Sequence, residues 1–462
     1  MNKENSSFRD PCGFIFFHNN TLYRQINKKG GDDYDLLMAS GLYTRLSERN
    51  WLIKHEEFGE PSTCEANVYK VIKPEIIPFI SYPYEWSFSQ LKDAALLTLN
   101  IQLLSIKHGM ILKDASAYNI QFIGAEPILI DTLSFSRYHE GKPWEAYRQF
   151  CQHFLAPLLL MSKMDIRLNG LSKVNIDGIP LDLTSSLLPN RTWLSPSVLA
   201  HIHFHAKAQK TYASIGNTIS QKKKSFRALS RNGLTGIISN LKRLIESLDW
   251  KPTGTEWADY YQNTNYTDTA FSTKSRIIES YLDQIKPQKV WDLGANTGIF
   301  SRLASSRGIS TVAFDIDPAA VDLNYRQAKA NKELDILPLI MDLTNPSPSI
   351  GWANKERLSF TERKFADCVF AFALIHHLSI SNNVPLEKLS DFFATIGRNL
   401  IVEFVPKSDS QVRRLLNSRA DIFDEYSEQH FEESFDKNFT IKNKSPIIGS
   451  DRILYWMASR SE

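Results

Sequence analysis

The chain has 462 residues, of which 42% are hydrophobic and 23% are charged, and this length predicts two or three domains. Glycine and proline contribute only 20 residues each, which excludes collagen-like and disordered classes. The formal net charge is only +3, so nucleic acid is not an expected partner. The four cysteines form no C-x-x-C pair, and we expect reduced thiols rather than a zinc ribbon or a disulfide framework.

The sequence carries no pattern of a signal peptide or of a membrane span. Its N-terminus lacks an apolar stretch, and the longest dense apolar run, from Phe154 to Met161, is too short to cross a bilayer. We therefore expect a cytoplasmic protein with no membrane partner.

The first half contains an ordered series of elements from residue 88 to residue 132. An apolar helical pattern over 88 to 107 leads to a loop with Asp114 and Asn119, a strand, a turn and a second strand that ends at Asp131. This series resembles the catalytic loop and metal-binding strand of protein kinases and small-molecule phosphotransferases. The resemblance implies that Asp114 orients an acceptor hydroxyl, while Asn119 and Asp131 hold magnesium beside ATP. No other metal site is predicted.

Several positions depart from the kinase pattern. Lys113 replaces the usual arginine, Thr132 and Leu133 follow Asp131 where phenylalanine and glycine are expected, and no glycine-rich loop precedes them. The sequence does not choose a phosphate-contacting lysine among three candidates, Lys54, Lys70 and Lys73. We therefore predict a kinase-like α+β domain over 1–205 that is degenerate, so that ATP and magnesium belong to the protein only if this domain is active.

A basic connector over 206–256 separates the two halves. Lysines and arginines alternate there with serine, glycine and asparagine, which indicates either a solvated face or a contact for nucleic acid or an acidic partner. Apolar residues at helical spacing predict an amphipathic helix packed on a neighbour: Ile237, Leu241, Leu244, Ile245 and Leu248.

Strands and helices alternate in the second half, over 257–462, which predicts a parallel sheet covered on both faces. Strands are expected at 289–293, 311–315, 336–341, 366–372 and 399–404. The last segment breaks the alternation, because 439–444 and 451–458 read as an antiparallel hairpin joined by a short loop. The predicted fold is thus a doubly wound, mostly parallel, seven-stranded α/β sheet.

Carboxylates lie at the ends of three of these strands. Asp292 opens a turn with Gly294, Asn296 and Gly298, which lacks the G-x-G-x-x-G spacing of a dinucleotide site, and its charge would repel a pyrophosphate. Asp315 is suited to accept from ribose hydroxyls. Asp342 could accept from an adenine amino group. The alternative interpretation of each carboxylate is a helix cap or a turn residue.

The region from 255 to 462 resembles the class I S-adenosylmethionine-dependent methyltransferases, a Rossmann-like family. The Asp-Leu-Gly-Ala-Asn-Thr-Gly turn, the acidic strand ends and the terminal hairpin carry this resemblance. It implies that the turn contacts the methionine part of S-adenosylmethionine, that Asp315 with Ile316 contacts the ribose, and that Asp342 with Leu343 contacts the adenine. Asn296 stands where the family often has glycine.

Three residues near the later strand ends are candidates for catalysis. His376 and His377 follow the fourth strand, where one could act as a general base, or both could cap and pack the loop. Glu403 ends the fifth strand and is the next candidate for substrate contact. The turn-rich segment from Asn345 to Trp352, with Glu356 and Arg357 after it, is interpreted either as a lid or as a surface loop.

These patterns predict a methyltransferase that uses S-adenosylmethionine on an acceptor that the sequence does not identify. A hydroxyl of a small molecule or glycan is expected first, since the Asn-Pro-Pro-Tyr signature of base methylation is missing after the fourth strand. The alternatives are a phosphotransferase acting through the N-terminal domain and a non-catalytic binding or scaffold protein.

Overall fold

A computed structural model describes residues 2–59, 67–207, 229–252, 267–363, 365–417 and 420–460. The chain divides into two compact units. The first unit comprises 1–251 together with 349–357, and the second unit comprises 252–348 together with 358–462. The basic run Lys222 to Lys224 of the connector lies outside the described residues.

The first unit begins with a five-stranded antiparallel sheet of order β1-β2-β3-β5-β4. Its strands are β1 Asn2–Lys3, β2 Gly13–His18, β3 Thr21–Asn27, β4 His55–Phe58 and β5 Val68–Pro74. Asn19 and Asn20 have φ angles of 48° and 59°, so they form the two-residue turn that asparagine tolerates between β2 and β3. The helix Lys28–Ala39 covers the sheet, where Tyr34 packs on Ile26 and Ile72.

The rest of the first unit is mainly helical. The helix Phe88–Lys107 begins at a capping box in which Ser87 and Gln90 satisfy each other's backbone N–H groups. The helix Arg231–Ser247 packs on it and buries its apolar face, which confirms the helix predicted within the connector. Further helices are Leu42–Glu48, Tyr147–Phe150, Ala156–Lys163, Leu171–Val174, Leu181–Leu187 and Pro196–Val198.

Two small antiparallel pairs follow the long helix of the first unit. The strands are β6 Met110–Leu112, β7 Ile120–Ile123, β8 Glu126–Leu129 and β9 Phe135–Arg137, with β6 paired to β9 and β7 paired to β8. The predicted order of helix, loop, strand, turn and strand is therefore present. The loop with Asp114 lies between β6 and β7.

The second unit is built on a seven-stranded sheet of order β12-β11-β10-β13-β14-β16-β15. Its strands are β10 Lys289–Leu293, β11 Ser310–Asp315, β12 Ile336–Ile340, β13 Ala366–Ala371, β14 Gly397–Phe404, β15 Phe439–Pro446 and β16 Ile453–Ser459. Its helices are Asp268–Ile285, Ser301–Ser305, Pro318–Asn331, Leu386–Ile396, Ser410–Leu416 and Glu428–Asp436.

The first five strands of this sheet run parallel, β16 runs antiparallel to β14, and β15 pairs antiparallel with β16 in a terminal hairpin. The parallel strands are almost wholly buried because helices cover both faces, as the near-continuous apolar run of β13 indicates. The predicted doubly wound sheet with its reversed terminal hairpin is confirmed. The carboxyl ends of β10, β11 and β12 consequently lie side by side at one edge.

Within the described ranges, no helix combines the length and the apolar character that crossing a bilayer would require.

Candidate functional site

The turn after β10 is held in a conformation that few residue types adopt. Gly294, Asn296 and Gly298 have φ angles of 78°, 51° and 77°, so left-handed residues alternate along it. The backbone N–H groups of Gly294 and Ala295 both donate to the carbonyl of Phe314 on β11, which ties the turn to the neighbouring strand. Asparagine is the non-glycine residue that visits this region most readily, so Asn296 preserves the turn where the resemblance expects glycine.

Gly298 lies directly against the helix Pro318–Asn331. A Cβ added at Gly298 would meet the Asn324 amide at 2.4 Å from Nδ2 and 2.7 Å from Oδ1. The Asn324 side chain is fully buried, and neither of its amide atoms has a hydrogen-bond partner among the described residues. Sequence reasoning missed this residue. The backbone at Gly298 is therefore packed so closely against Asn324 that no side chain fits there.

Two carboxylates lie beneath this turn. Asp292 is buried and accepts a hydrogen bond of 2.6 Å from Ser301 Oγ. Asp315 is also buried and accepts from the backbone N–H groups of Asn296 at 2.7 Å and Asp317 at 2.8 Å. Asp317, and not Asp315, supplies the cap of the helix Pro318–Asn331 through Ala319 N. Asp315 thus fixes the turn.

Burial raises the pKa of Asp292 to about 7 and that of Asp315 to about 6. Each carboxylate is desolvated, which disfavours its charged form, and the hydrogen bonds that it accepts only partly offset this. A cation bound at this edge would restore the ionised form of both groups.

The raised pKa of Asp292 predicts a stability that depends on pH. Between about pH 4 and pH 7 the folded protein keeps a proton that the unfolded chain releases, so stability is highest at the acid end and falls as pH rises. The expected slope is up to about 1.4 kcal/mol per pH unit. Urea unfolding of the wild type and of Asp292→Asn across this window measures it. A difference between the two proteins that does not change with pH would contradict the assignment.

The other predicted cofactor residues follow β11 and β12. Ile316 comes directly after Asp315 and is 55% exposed, so its side chain is available to pack against a ligand. Asp342 follows the end of β12, and its Oδ1 accepts from Thr344 N at 2.8 Å and Thr344 Oγ1 at 2.7 Å. Leu343 is half-buried beside it. Asp292, Asp315 and Asp342 therefore mark three neighbouring strand ends.

The two candidate histidines lie in the loop that follows β13. Their rings are 4.1 Å apart between centroids, and a π-helical turn His377–Ser381 begins directly after His376. His376 is fully buried, and its Nδ1 has no hydrogen-bond partner among the described residues. Burial lowers the pKa of His376 well below its ordinary value and that of His377 to about 4. Both imidazoles are consequently neutral near pH 7.

Glu403 lies at the end of β14 inside a network of buried charges. Its Oε2 accepts from Lys274 Nζ at 2.7 Å and from the backbone N–H of Ala373 at 3.0 Å. Its Oε1 is 3.3 Å from Arg452 Nη1, and Arg452 Nε reaches Asp409 at 2.8 Å. Glu403 thereby holds the histidine loop at Ala373, a residue with a φ angle of 47°.

Sequence reasoning missed Lys274, although the sequence contains a signal for it. Lys274 lies between Phe271 and Ile278 at helical spacing, which places a lysine on the apolar face of the helix Asp268–Ile285. Its ammonium group lies over the rings of Phe300 and Phe372 at 4.1 and 4.6 Å. A lysine on such a face is expected to have a buried carboxylate as a partner.

The residues predicted in the first unit also come together. The Asn119 and Gln149 side chains hydrogen-bond to the Asp114 carboxylate, and burial together with Asp131 raises the pKa of Asp114. Asp131 pairs with Arg24 of β3, a residue that sequence reasoning did not consider. Of the candidate lysines, Lys70 pairs with Glu57 at 2.9 Å.

The segment 349–357 belongs to the first unit, although the chain enters it from the second. Buried Glu356 accepts from Arg9 Nε at 2.6 Å and from Arg9 Nη2 at 2.9 Å. The Arg357 guanidinium lies 4.4 Å from the ring centroid of Tyr118. This segment is therefore anchored at Glu356 and Arg357, while residues 352–355 are exposed.

The second unit is a mixed α/β fold whose seven-stranded sheet has five parallel strands and, beside β14, the antiparallel strand β16. Along almost its whole length, the chain is 36% identical over 461 residues to Nodulation protein NoeA of Rhizobium meliloti (strain 1021), covering 97% of this chain and 94% of that protein. The chain therefore belongs to the NoeA family. No protein-family model matches it.

Solved structures resemble parts of the chain at low identity. Magnesium protoporphyrin IX methyltransferase (ChlM) from Synechocystis PCC 6803, solved with bound SAH, is 14% identical with a TM-score of 0.31, over 43% of this chain and 90% of that one. The bifunctional kinase-methyltransferase WbdD is 14% identical with a TM-score of 0.29, over 47% of this chain and 46% of that one.

Proposed function

We propose that the second unit binds S-adenosylmethionine and transfers its methyl group to an acceptor hydroxyl. The observation that carries this proposal is the pair of buried carboxylates, Asp292 and Asp315, beneath a left-handed turn at two neighbouring strand ends. The negative charge of these carboxylates would repel a pyrophosphate and attract a nucleoside that carries a cationic group. The left-handed backbone at Gly294, Asn296 and Gly298 gives the tight turn that a ligand at the end of β10 would meet.

The residues present fit this cofactor. When bound, S-adenosylmethionine supplies an activated methyl group for in-line displacement at its sulfonium carbon. Asp315 would accept from the ribose hydroxyls, with Ile316 packed beside them, while Asp342 and Leu343 would face the adenine. Gly294, Asn296 and Asp292 would face the methionine part. The role of the chain is chiefly to position the reactants.

The acceptor that we propose is a hydroxyl of a small molecule or of a glycan. A hydroxyl must lose its proton as it accepts a methyl group, and a neutral imidazole can take that proton. His376 and His377 are both neutral near pH 7, because burial lowers the pKa of each. His376 and His377, whose rings lie 4.1 Å apart after β13, are our two candidates for this proton transfer. Glu403 would act on the loop that carries His376, and not on the acceptor.

The central test is the binding of S-adenosylmethionine to Asp315→Ala. We expect binding to weaken by about 1.5 to 3 kcal/mol, since a charge-assisted hydrogen bond to the ribose is lost together with the anchor of Asn296 N. Isothermal titration calorimetry of the full chain measures the dissociation constant.

The matched control is Asp367→Asn. Asp367 lies near the start of β13, at the opposite edge of the sheet, where its Oδ2 accepts from Gln288 N and Lys289 N. Asparagine keeps an accepting oxygen, so we expect this variant to bind the cofactor as the wild type does. A dissociation constant unchanged by Asp315→Ala would count against the proposal. Wild-type protein that binds no S-adenosylmethionine would favour a scaffold.

A further inference from the structure

A polar cluster in the first unit is assembled from three parts of the fold. Arg24 extends from β3, Asp114 and Asn119 lie in the loop between β6 and β7, and Asp131 with Ser134 bounds the short helical turn after β8. We call these five residues the Arg24 cluster. Asn119 and Asp131 are the residues that would hold magnesium if this unit worked as its resemblance to phosphotransferases implies.

Both carboxylate oxygens of Asp131 are already engaged within the cluster. Oδ1 lies 2.5 Å from Arg24 Nη2 and accepts from Leu133 N at 3.1 Å, and Oδ2 accepts from Ser134 Oγ at 2.5 Å. Asn119 Nδ2 donates to the same Ser134 hydroxyl at 3.3 Å. Asn119 and Asp131 are thus connected to each other through Ser134, and the charge of Asp131 is paired with Arg24.

A divalent cation does not fit this arrangement. Magnesium requires oxygen ligands at about 2.0 to 2.1 Å in a nearly octahedral shell. The guanidinium of Arg24 approaches the Asp131 oxygen from within hydrogen-bonding distance, so it would repel a metal bound to the same atom. Arg24 is only 8% exposed, and moving it away would leave a buried cation unpaired. In the part of the chain that is described, no group of three histidine, cysteine or acidic side chains could hold a metal elsewhere.

We infer that Arg24 is a built-in cation that occupies the place of magnesium, so that the first unit binds no divalent metal at Asn119 and Asp131. The carboxylate of Asp131 is paired with a buried guanidinium that belongs to the chain itself. At Asn119 and Asp131 the unit is then independent of metal. This inference is independent of the methyltransferase proposal because it concerns only the first unit.

The inference predicts a gain of metal binding when Arg24 is removed. In Arg24→Gln, Asp131 keeps its charge and lies near Asp114, so a divalent cation can take the vacated place. We expect Mn²⁺, the probe for this site, to bind Arg24→Gln about tenfold or more tightly than the wild type. Titration followed by electron paramagnetic resonance, with the full chain, measures free and bound Mn²⁺.

Three further proteins make the result decisive. Arg45 of the same unit forms an exposed ion pair with Glu48 at 3.7 Å, away from the Arg24 cluster. The control variant Arg45→Gln should therefore bind Mn²⁺ as weakly as the wild type. Arg24→Gln/Asp131→Asn should lose the gained site. Wild-type protein that binds Mn²⁺ and loses it in Asp131→Asn would overturn the inference, whether or not Arg24→Gln folds. A folded Arg24→Gln with no gain in Mn²⁺ affinity would also overturn it.

Discussion

Replacing Glu403 with alanine is expected to lower the free energy of unfolding of the second unit by about 3 to 5 kcal/mol. Glu403 and Lys274 are both at most 1% exposed, and the variant leaves the ammonium group in the core without its carboxylate. Arg452 keeps Asp409 as a partner, so most of the loss arises from Lys274. Urea unfolding of the full chain, followed through the transition of the second unit, measures this loss.

The same variant removes the acceptor of Ala373 N. Because Ala373 has a left-handed backbone, a conformation that an alanine does not favour by itself, we expect the histidine loop to relax once this hydrogen bond is lost. Hydrogen exchange over 372–378 should therefore rise in Glu403→Ala. Glu403→Gln keeps an oxygen for Ala373 N, so it should retain more protection of this loop than the alanine variant does.

Two comparisons separate a buried network from an ordinary ion pair. Asp421→Ala breaks an exposed pair with Lys407 and should cost only about 0 to 1 kcal/mol. Lys274→Met/Glu403→Leu removes both charges, and we expect it to recover part of the stability lost in Glu403→Ala, since no unpaired ammonium remains. Equal losses for Glu403→Ala and Asp421→Ala would show that the network has no special strength.

The sheet of the second unit could be predicted because its signals are local. Each buried strand is a short apolar run, and the turn from Asp292 to Gly298 has its glycines and asparagine where the backbone needs positive φ. Parallel strands bring their carboxyl ends together, so the sequence positions of Asp315 and Asp342 sufficed to place them at one edge. The apolar strand pattern, the glycines and asparagine of the turn and the parallel strand order therefore all indicate the same position for this site.

The remaining site residues depend on contacts between distant segments. Lys274 and Glu403 are 129 positions apart, and no local pattern pairs them. Arg24 lies on β3, far from Asp131 along the sequence, so no local pattern predicts the ion pair between them. The segment 349–357 follows β12 in sequence yet packs in the first unit through Arg9 and Tyr118, partners that adjacency along the chain does not indicate.

Replacing Gly298 with alanine is expected to cost about 2 to 5 kcal/mol of stability and to weaken S-adenosylmethionine binding about tenfold or more. A Cβ in the left-handed region costs about 1 to 2 kcal/mol. The new methyl group would also lie 2.4 Å from Asn324 Nδ2, and overpacking of this kind adds about 1 to 3 kcal/mol. The turn must therefore shift at the point where the cofactor is proposed to bind. Urea unfolding and calorimetry measure the two effects.

Gly308→Ala separates strain from crowding. Gly308 has a φ angle of 74°, close to the 77° of Gly298, yet no atom lies within 4 Å of a Cβ added there. The Gly308→Ala variant should lose only the stability that a Cβ in the left-handed region costs, about 1 to 2 kcal/mol, and should bind S-adenosylmethionine as the wild type does. In Gly298→Ala/Asn324→Ala the crowding is relieved, so stability should return towards that of Gly308→Ala. If Gly298→Ala and Gly308→Ala prove equally stable and bind the cofactor equally well, the close fit between the turn and Asn324 has no role in shaping the site.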